Sequence, residues 1–182
     1  MATTRLGIVL SGTGRTLVNI LKHVAAGELD AEVVCVISDR DGVLGLQHGR
    51  DAGIPTFHAP DSDATWRILL THDVDLVCLC GYLRLLKIPA DRSRSVLNIH
   101  PALLPKFGGK GFSGHHVHQA VLAAGDPESG CTVHYCDDEY DRGSILLQKR
   151  VPVLPDDTSD SLAARVFEAE CEAYPEAIRT CD

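Results

Sequence analysis

Four near-continuous apolar runs constrain this chain more than any other feature: RLGIVL at 5–10, AEVVCVIS at 31–38, DVDLVCLCG at 73–81 and SVLNIHP at 95–101. Their cores do not alternate apolar with polar, so both faces of each strand are to be covered, as happens in parallel sheets. Between the first two runs the spacing changes. Leu17, Ile20, Leu21 and Val24 fall at i, i+3, i+4 and i+7, the pattern of a helix packed on a sheet. DGVLGLQHGRDAGIP reads as another helix, closed by Gly53 and followed by a strand at Thr56 to His58. Strand, turn and helix thus recur through the first hundred residues. That order predicts an α/β fold, a doubly wound and mostly parallel sheet with right-handed crossovers.

Beyond residue 105 the texture changes. KFGGKGFSGHH holds four glycines in eleven residues and is expected to be a flexible surface loop. His116 to Ala124 resumes a helical pattern. CTVHYC and SILLQKRVPV then read as two strands joined by the acidic turn DDEYDRG, close enough in sequence to pair antiparallel. Thr158 or Ser159 caps a final helix carrying Leu162, Val166 and Ala169. With 182 residues, 45% apolar composition and no internal repeat, a single domain over 1–182 is expected. Its parallel part spans 1–105; the loop, hairpin and last helix occupy 106–182.

Charge narrows the partners. Seventeen Lys plus Arg against twenty-five Asp plus Glu give a formal net charge of −8, which disfavours nucleic acid and anionic membrane, because phosphate neutralisation needs a basic face. The N-terminal segment reads as a strand and not as a signal peptide, and no run reaches the ~20 apolar residues of a membrane span. Seven cysteines, several in strand-like runs, are expected to be reduced thiols of a cytoplasmic protein. Their spacing matches no zinc site, so no metal is expected.

In open parallel sheets ligands bind beyond the C-terminal ends of the strands, which selects SGTGRT, CGYLRLL and NIHPALLP. Gly12 and Gly14 permit a tight turn, and the helix starting near Thr16 offers backbone N–H groups to a phosphate; the same glycines also suit a purely structural strand-to-helix turn. Position 17 is Leu, not the third glycine of a dinucleotide fingerprint, and no Walker lysine follows. Asp137, Asp138 and Glu139 read as solvated, whereas Asp141, followed by Arg142 and Gly143, sits where the turn must be tight. His115, His116 and His118 are explained by a solvent-exposed helix start as well as by a ligand cluster. Asn98 and His100, two apart on an extended segment, point to one side, and Pro101 stops the strand. They are either caps on the backbone or a catalytic pair.

Taken in order, GIVLSGTGRTLVNIL, CGYLRLL, VLNIHPALLP, GCTVHYCDDEYDRGSILLQKRVPV and SLAARVFEAECEAYPEAI resemble the phosphoribosylglycinamide formyltransferases, folate-dependent enzymes of purine biosynthesis. The resemblance implies a Rossmann-like formyltransferase fold and transfer of the formyl group of 10-formyltetrahydrofolate to the amine of glycinamide ribonucleotide, in a monomer or homodimer. Asn98, His100 and Asp141 would form the catalytic set. Gly14, Arg15 and Thr16 would hold the phosphate and Glu170 the ribose hydroxyls; Leu83, Arg84, Leu85, Leu86 and Asn98 would face the folate. Many relatives carry Ser-Asn where this chain has Arg15 and Thr16, which points to altered phosphate contacts.

The chemistry agrees. Attack on the formyl carbon makes an oxyanion and needs a protonated leaving nitrogen; a donor such as the Asn98 amide is worth about 2.7–4 kcal/mol to such a step. A carboxylate about 4 Å from His100, at an effective dielectric of ~20, contributes roughly 4 kcal/mol, so Asp141 is expected to keep the imidazole protonated. A formyltetrahydrofolate hydrolase, a methionyl-tRNA formyltransferase and a sugar-nucleotide formylating enzyme share the chemistry. A non-catalytic phosphate-sugar binding module is the alternative outside enzymes.

Overall fold

The computed structural model describes residues 3–181, and the chain divides after Asn98 into two compact units. In the first, β1 (Thr4–Leu10), β2 (Ala31–Ser38), β3 (Thr56–His58), β4 (Leu76–Leu79) and the start of β5 (Val96–His100) lie side by side in the order β3-β2-β1-β4-β5. The pairs β1–β2, β1–β4, β2–β3 and β4–β5 are all parallel. Leu6, Ile8, Val9, Leu10, Cys35, Val36, Ile37, Val77 and Cys78 are almost wholly buried, as strands covered on both faces require.

Helix α1 (Arg15–Ala25) buries Leu17 and Ile20, the face set by its apolar spacing. Helix α2 (Leu44–Asp51) buries Gly45, Leu46 and Gly49. The turn into α1 depends on glycine. Gly14 adopts a φ of 74°, and a Cβ there would lie 2.6 Å from the Gly45 Cα. A helix not expected from the sequence, α3 (Ser62–Thr71), follows β3; the Asp61 side chain accepts from the Ala64 N–H and caps it, while Thr65, Trp66 and Leu69 turn inward.

In the second unit the order runs β5-β6-β7. Strands β6 (Glu128–Tyr135) and β7 (Ile145–Pro152) pair antiparallel, as the intervening acidic turn predicts. Helix α4 (His115–Ala124) precedes β6, and α5 (Ser159–Thr180) follows β7. Thr158 is the residue that caps α5, in a reciprocal box with Ser161. The fold class is therefore the one expected, a mostly parallel sheet with an antiparallel hairpin in its later part. None of the cysteines is in a disulfide, and no helix among the described residues is long and apolar enough to cross a membrane.

Candidate active site

His100 ends β5, where Pro101 prevents another ladder bond. Its side chain is only 5% exposed. The Nε2 atom lies 2.7 Å from the Phe107 carbonyl oxygen; a carbonyl can only accept, so Nε2 carries the hydrogen. Nδ1 faces Asp141 Oδ2 at 3.5 Å. The other carboxylate oxygen, Oδ1, is 3.5 Å from Nε2 of His134, whose Nδ1 lies 2.9 Å from the Tyr135 carbonyl. The Gly109 N–H donates to Asp141 Oδ2 at 2.9 Å. One carboxylate is thus set between two buried imidazoles and a backbone donor.

The hairpin connection delivers Asp141 to that position. Asp141 has a φ of 57°, a left-handed conformation that costs a non-glycine residue about 1–2 kcal/mol. Two residues on, a Cβ on Gly143 would meet the Tyr135 carbonyl at 1.6 Å, so only glycine fits. The tight turn read from Asp141-Arg142-Gly143 is present.

The charges do not follow the expectation. Burial alone would raise the Asp141 carboxyl, but the His134 hydrogen bond, the neighbouring His100 and the Gly109 N–H together bring it below the usual value of 3.8. For His100 burial is the largest influence. It pulls the imidazole below its ordinary 6.5, and the opposing attraction of Asp141 does not restore it. The expectation that Asp141 keeps His100 protonated is therefore corrected: stripping water from a nearly enclosed imidazolium outweighs the Coulomb gain at 3.5 Å. At neutral pH both shifts favour a carboxylate beside a neutral imidazole.

The other expected residues fall as follows. Asn98 is half-buried on β5, two positions before His100 and on the same face by strand alternation. Gly14 is the N-cap of α1, with no side chain capping that end; Arg15 is exposed and Thr16 half-buried in its first turn. Leu83, 50% exposed, Arg84 and half-buried Leu85 lie in the irregular segment after β4, whereas Leu86 is core. Arg84 donates from its guanidinium to the Pro60 carbonyl. Glu170 is buried on α5, where its charge adds to the burial that pushes the Cys131 thiol up to about 12. His115 and His116 are exposed as expected for a helix start, but His118 is buried. Among the described residues no group of three or more His, Cys, Asp or Glu side chains is placed to hold a metal ion.

His134, the strand histidine seven residues before Asp141, was given no role in the site expected from the sequence. The available signal was a histidine inside the strand CTVHYC, a position that a purely structural core strand would fill with an apolar side chain.

Residues 4–178 match the model of the formyl transferase family. Over 96% of its length the chain is 42% identical to the trifunctional purine biosynthetic protein adenosine-3 of Drosophila melanogaster, of which it spans 14%. It is 34% identical to the phosphoribosylglycinamide formyltransferase of Haemophilus influenzae, covering 96% of this chain and 85% of that protein. The crystal structure of glycinamide ribonucleotide transformylase 1 from Symbiobacterium toebii superposes with a TM-score of 0.88 at 38% identity, covering 98% of this chain and 87% of that one. The chain belongs to the formyl transferase family.

Proposed function

We propose that this protein transfers the formyl group of 10-formyltetrahydrofolate to the amine of glycinamide ribonucleotide. The observation that carries the reading is the buried His100–Asp141–His134 arrangement, in a chain of this family. The acceptor amine attacks the formyl carbon, and the Asn98 amide donates to the oxygen as it becomes an oxyanion. Neutral His100 takes the amine proton at Nδ1, the nitrogen facing Asp141, and the carboxylate stabilises the imidazolium while it exists. The proton passes to the folate nitrogen as its bond to the formyl carbon breaks, leaving tetrahydrofolate and the N-formyl product. His134 and the Gly109 N–H hold the carboxylate in place.

The binding assignments rest on motif position. Gly14, Arg15 and Thr16 receive the phosphate at the uncapped N-terminus of α1, where Arg15 adds a charge-assisted bond. Glu170 binds the ribose hydroxyls. Leu83, Arg84 and Leu85 meet the folate from the irregular segment after β4, and Leu86 supports them from the core.

The test is tetrahydrofolate release from 10-formyltetrahydrofolate by purified protein, with and without glycinamide ribonucleotide. Release that requires the ribonucleotide is the expected result. Release at the same rate without it identifies a hydrolase, and binding of the ribonucleotide with no release identifies a binding module.

A further inference from the structure

The parallel pairing of β1 with β4 runs from Leu6↔Leu76 to Val9↔Leu79, yet the bonding between the two chains continues past both strands. The Cys80 N–H donates to the Val9 carbonyl at 2.8 Å and the Ser11 N–H to the Gly81 carbonyl at 3.1 Å. Gly81, with a φ of 73°, then turns its chain away. The next rung uses a side chain: the Leu83 N–H donates to Ser11 Oγ at 2.9 Å. Ser11 is 1% exposed and Leu83 50%, so the bond is part-buried, its acceptor enclosed by the fold.

The two ends joined by this rung are the glycine turn, Gly12 to Gly14, and the Gly81–Pro89 segment, which holds no helix or strand. Later in the same segment Trp66 Nε1 donates to the Lys87 carbonyl at 2.7 Å and the Lys87 N–H to Ser62 Oγ at 3.0 Å, which fix its far end to α3. Its near end is fixed to the glycine turn through Ser11. A phosphate that orders the turn removes freedom from Ser11, and a donor that orders Leu83 does the same from the other side.

We propose that Ser11 is a positioning residue that couples the two ligands, so that acceptor bound on the glycine turn and folate bound on Leu83–Leu86 each tighten the other. This rests on the transferase reading of those two segments. Coupling through shared ordering is reciprocal, and typical factors are about 5- to 150-fold.

Calorimetric titration with tetrahydrofolate, which has no formyl group to transfer, measures its Kd with and without saturating glycinamide ribonucleotide. The ratio is expected to be at least about fivefold in the natural protein, to fall within twofold of unity in Ser11→Ala, and to recover in Ser11→Thr, which keeps the acceptor oxygen. A merely structural serine would weaken both affinities and leave the ratio unchanged, which overturns the proposal, as does a ratio of unity in the natural protein. Should Ser11→Ala fail to fold, Ser11→Val, which has the shape of the threonine variant without its acceptor oxygen, is titrated in its place, and the same ratio decides. A natural protein that binds neither ligand overturns the transferase reading and this coupling with it; one that binds both independently overturns the coupling alone.

Discussion

Asp141 is the residue on which the chemistry turns, and its replacement separates charge from shape. Asp141→Asn keeps the size but removes the negative charge 3.5 Å from His100. The influence that opposes burial at His100 is then lost, so its pKa falls further. We expect kcat to drop by about 10²-fold or more, with KM for the ribonucleotide changed less than about threefold. The acidic limb of kcat/KM should also move to lower pH. Steady-state kinetics across pH check all three, and an unchanged rate would remove the carboxylate from the mechanism. The residue pair Asn98 and His100 was legible in sequence because polar groups at the end of an apolar strand are unusual. The sign of the His100 shift was not legible, since it depends on how completely the fold encloses the ring.

At the scale of elements, the β6–β7 connection and the α5 cap carry separable loads. Gly143→Ala places a carbon into the Tyr135 carbonyl, so the connection must open and Asp141 must move. A fall in kcat together with a stability loss above about 1 kcal/mol is expected, read by assay and by urea unfolding. Thr158→Ala instead removes a reciprocal cap from a 22-residue helix remote in sequence from His100 and Asp141. It should cost about 1 kcal/mol in urea unfolding and leave kcat unaltered. The strands and most helices were readable because periodicity and punctuation agreed. Helix α3 was missed because its inward residues, Thr65, Trp66 and Leu69, form too short a stripe to signal amphipathicity.

For the whole molecule the buried pair makes stability depend on acidity. His100 titrates at its ordinary 6.5 when unfolded and lower when folded. Between those values the unfolded chain holds more protons, so stability is full above about 6.5 and declines as pH falls toward the folded value. Asp141, depressed below 3.8 in the fold, contributes stability above that point and loses it only in stronger acid. Urea unfolding at pH 7 and pH 5 should show the natural protein losing more stability than His100→Gln, by at most about 1.4 kcal/mol per pH unit. Equal losses would show that the imidazole is not held neutral by the fold.

Local order was set by the chain itself. Buried strands, the glycine turn before α1, the Thr158 cap and the Asn98-x-His100-Pro101 ending all follow from steric and hydrogen-bonding preferences that act within a few residues. Long-range contacts were decided only by the tertiary structure: His134 against Asp141, the Gly109 N–H on the same carboxylate, Ser11 beneath Leu83, and an imidazole closed off from water. These depend on which distant segments meet and on how much solvent is left between them, and neither quantity is encoded in a run of neighbouring residues.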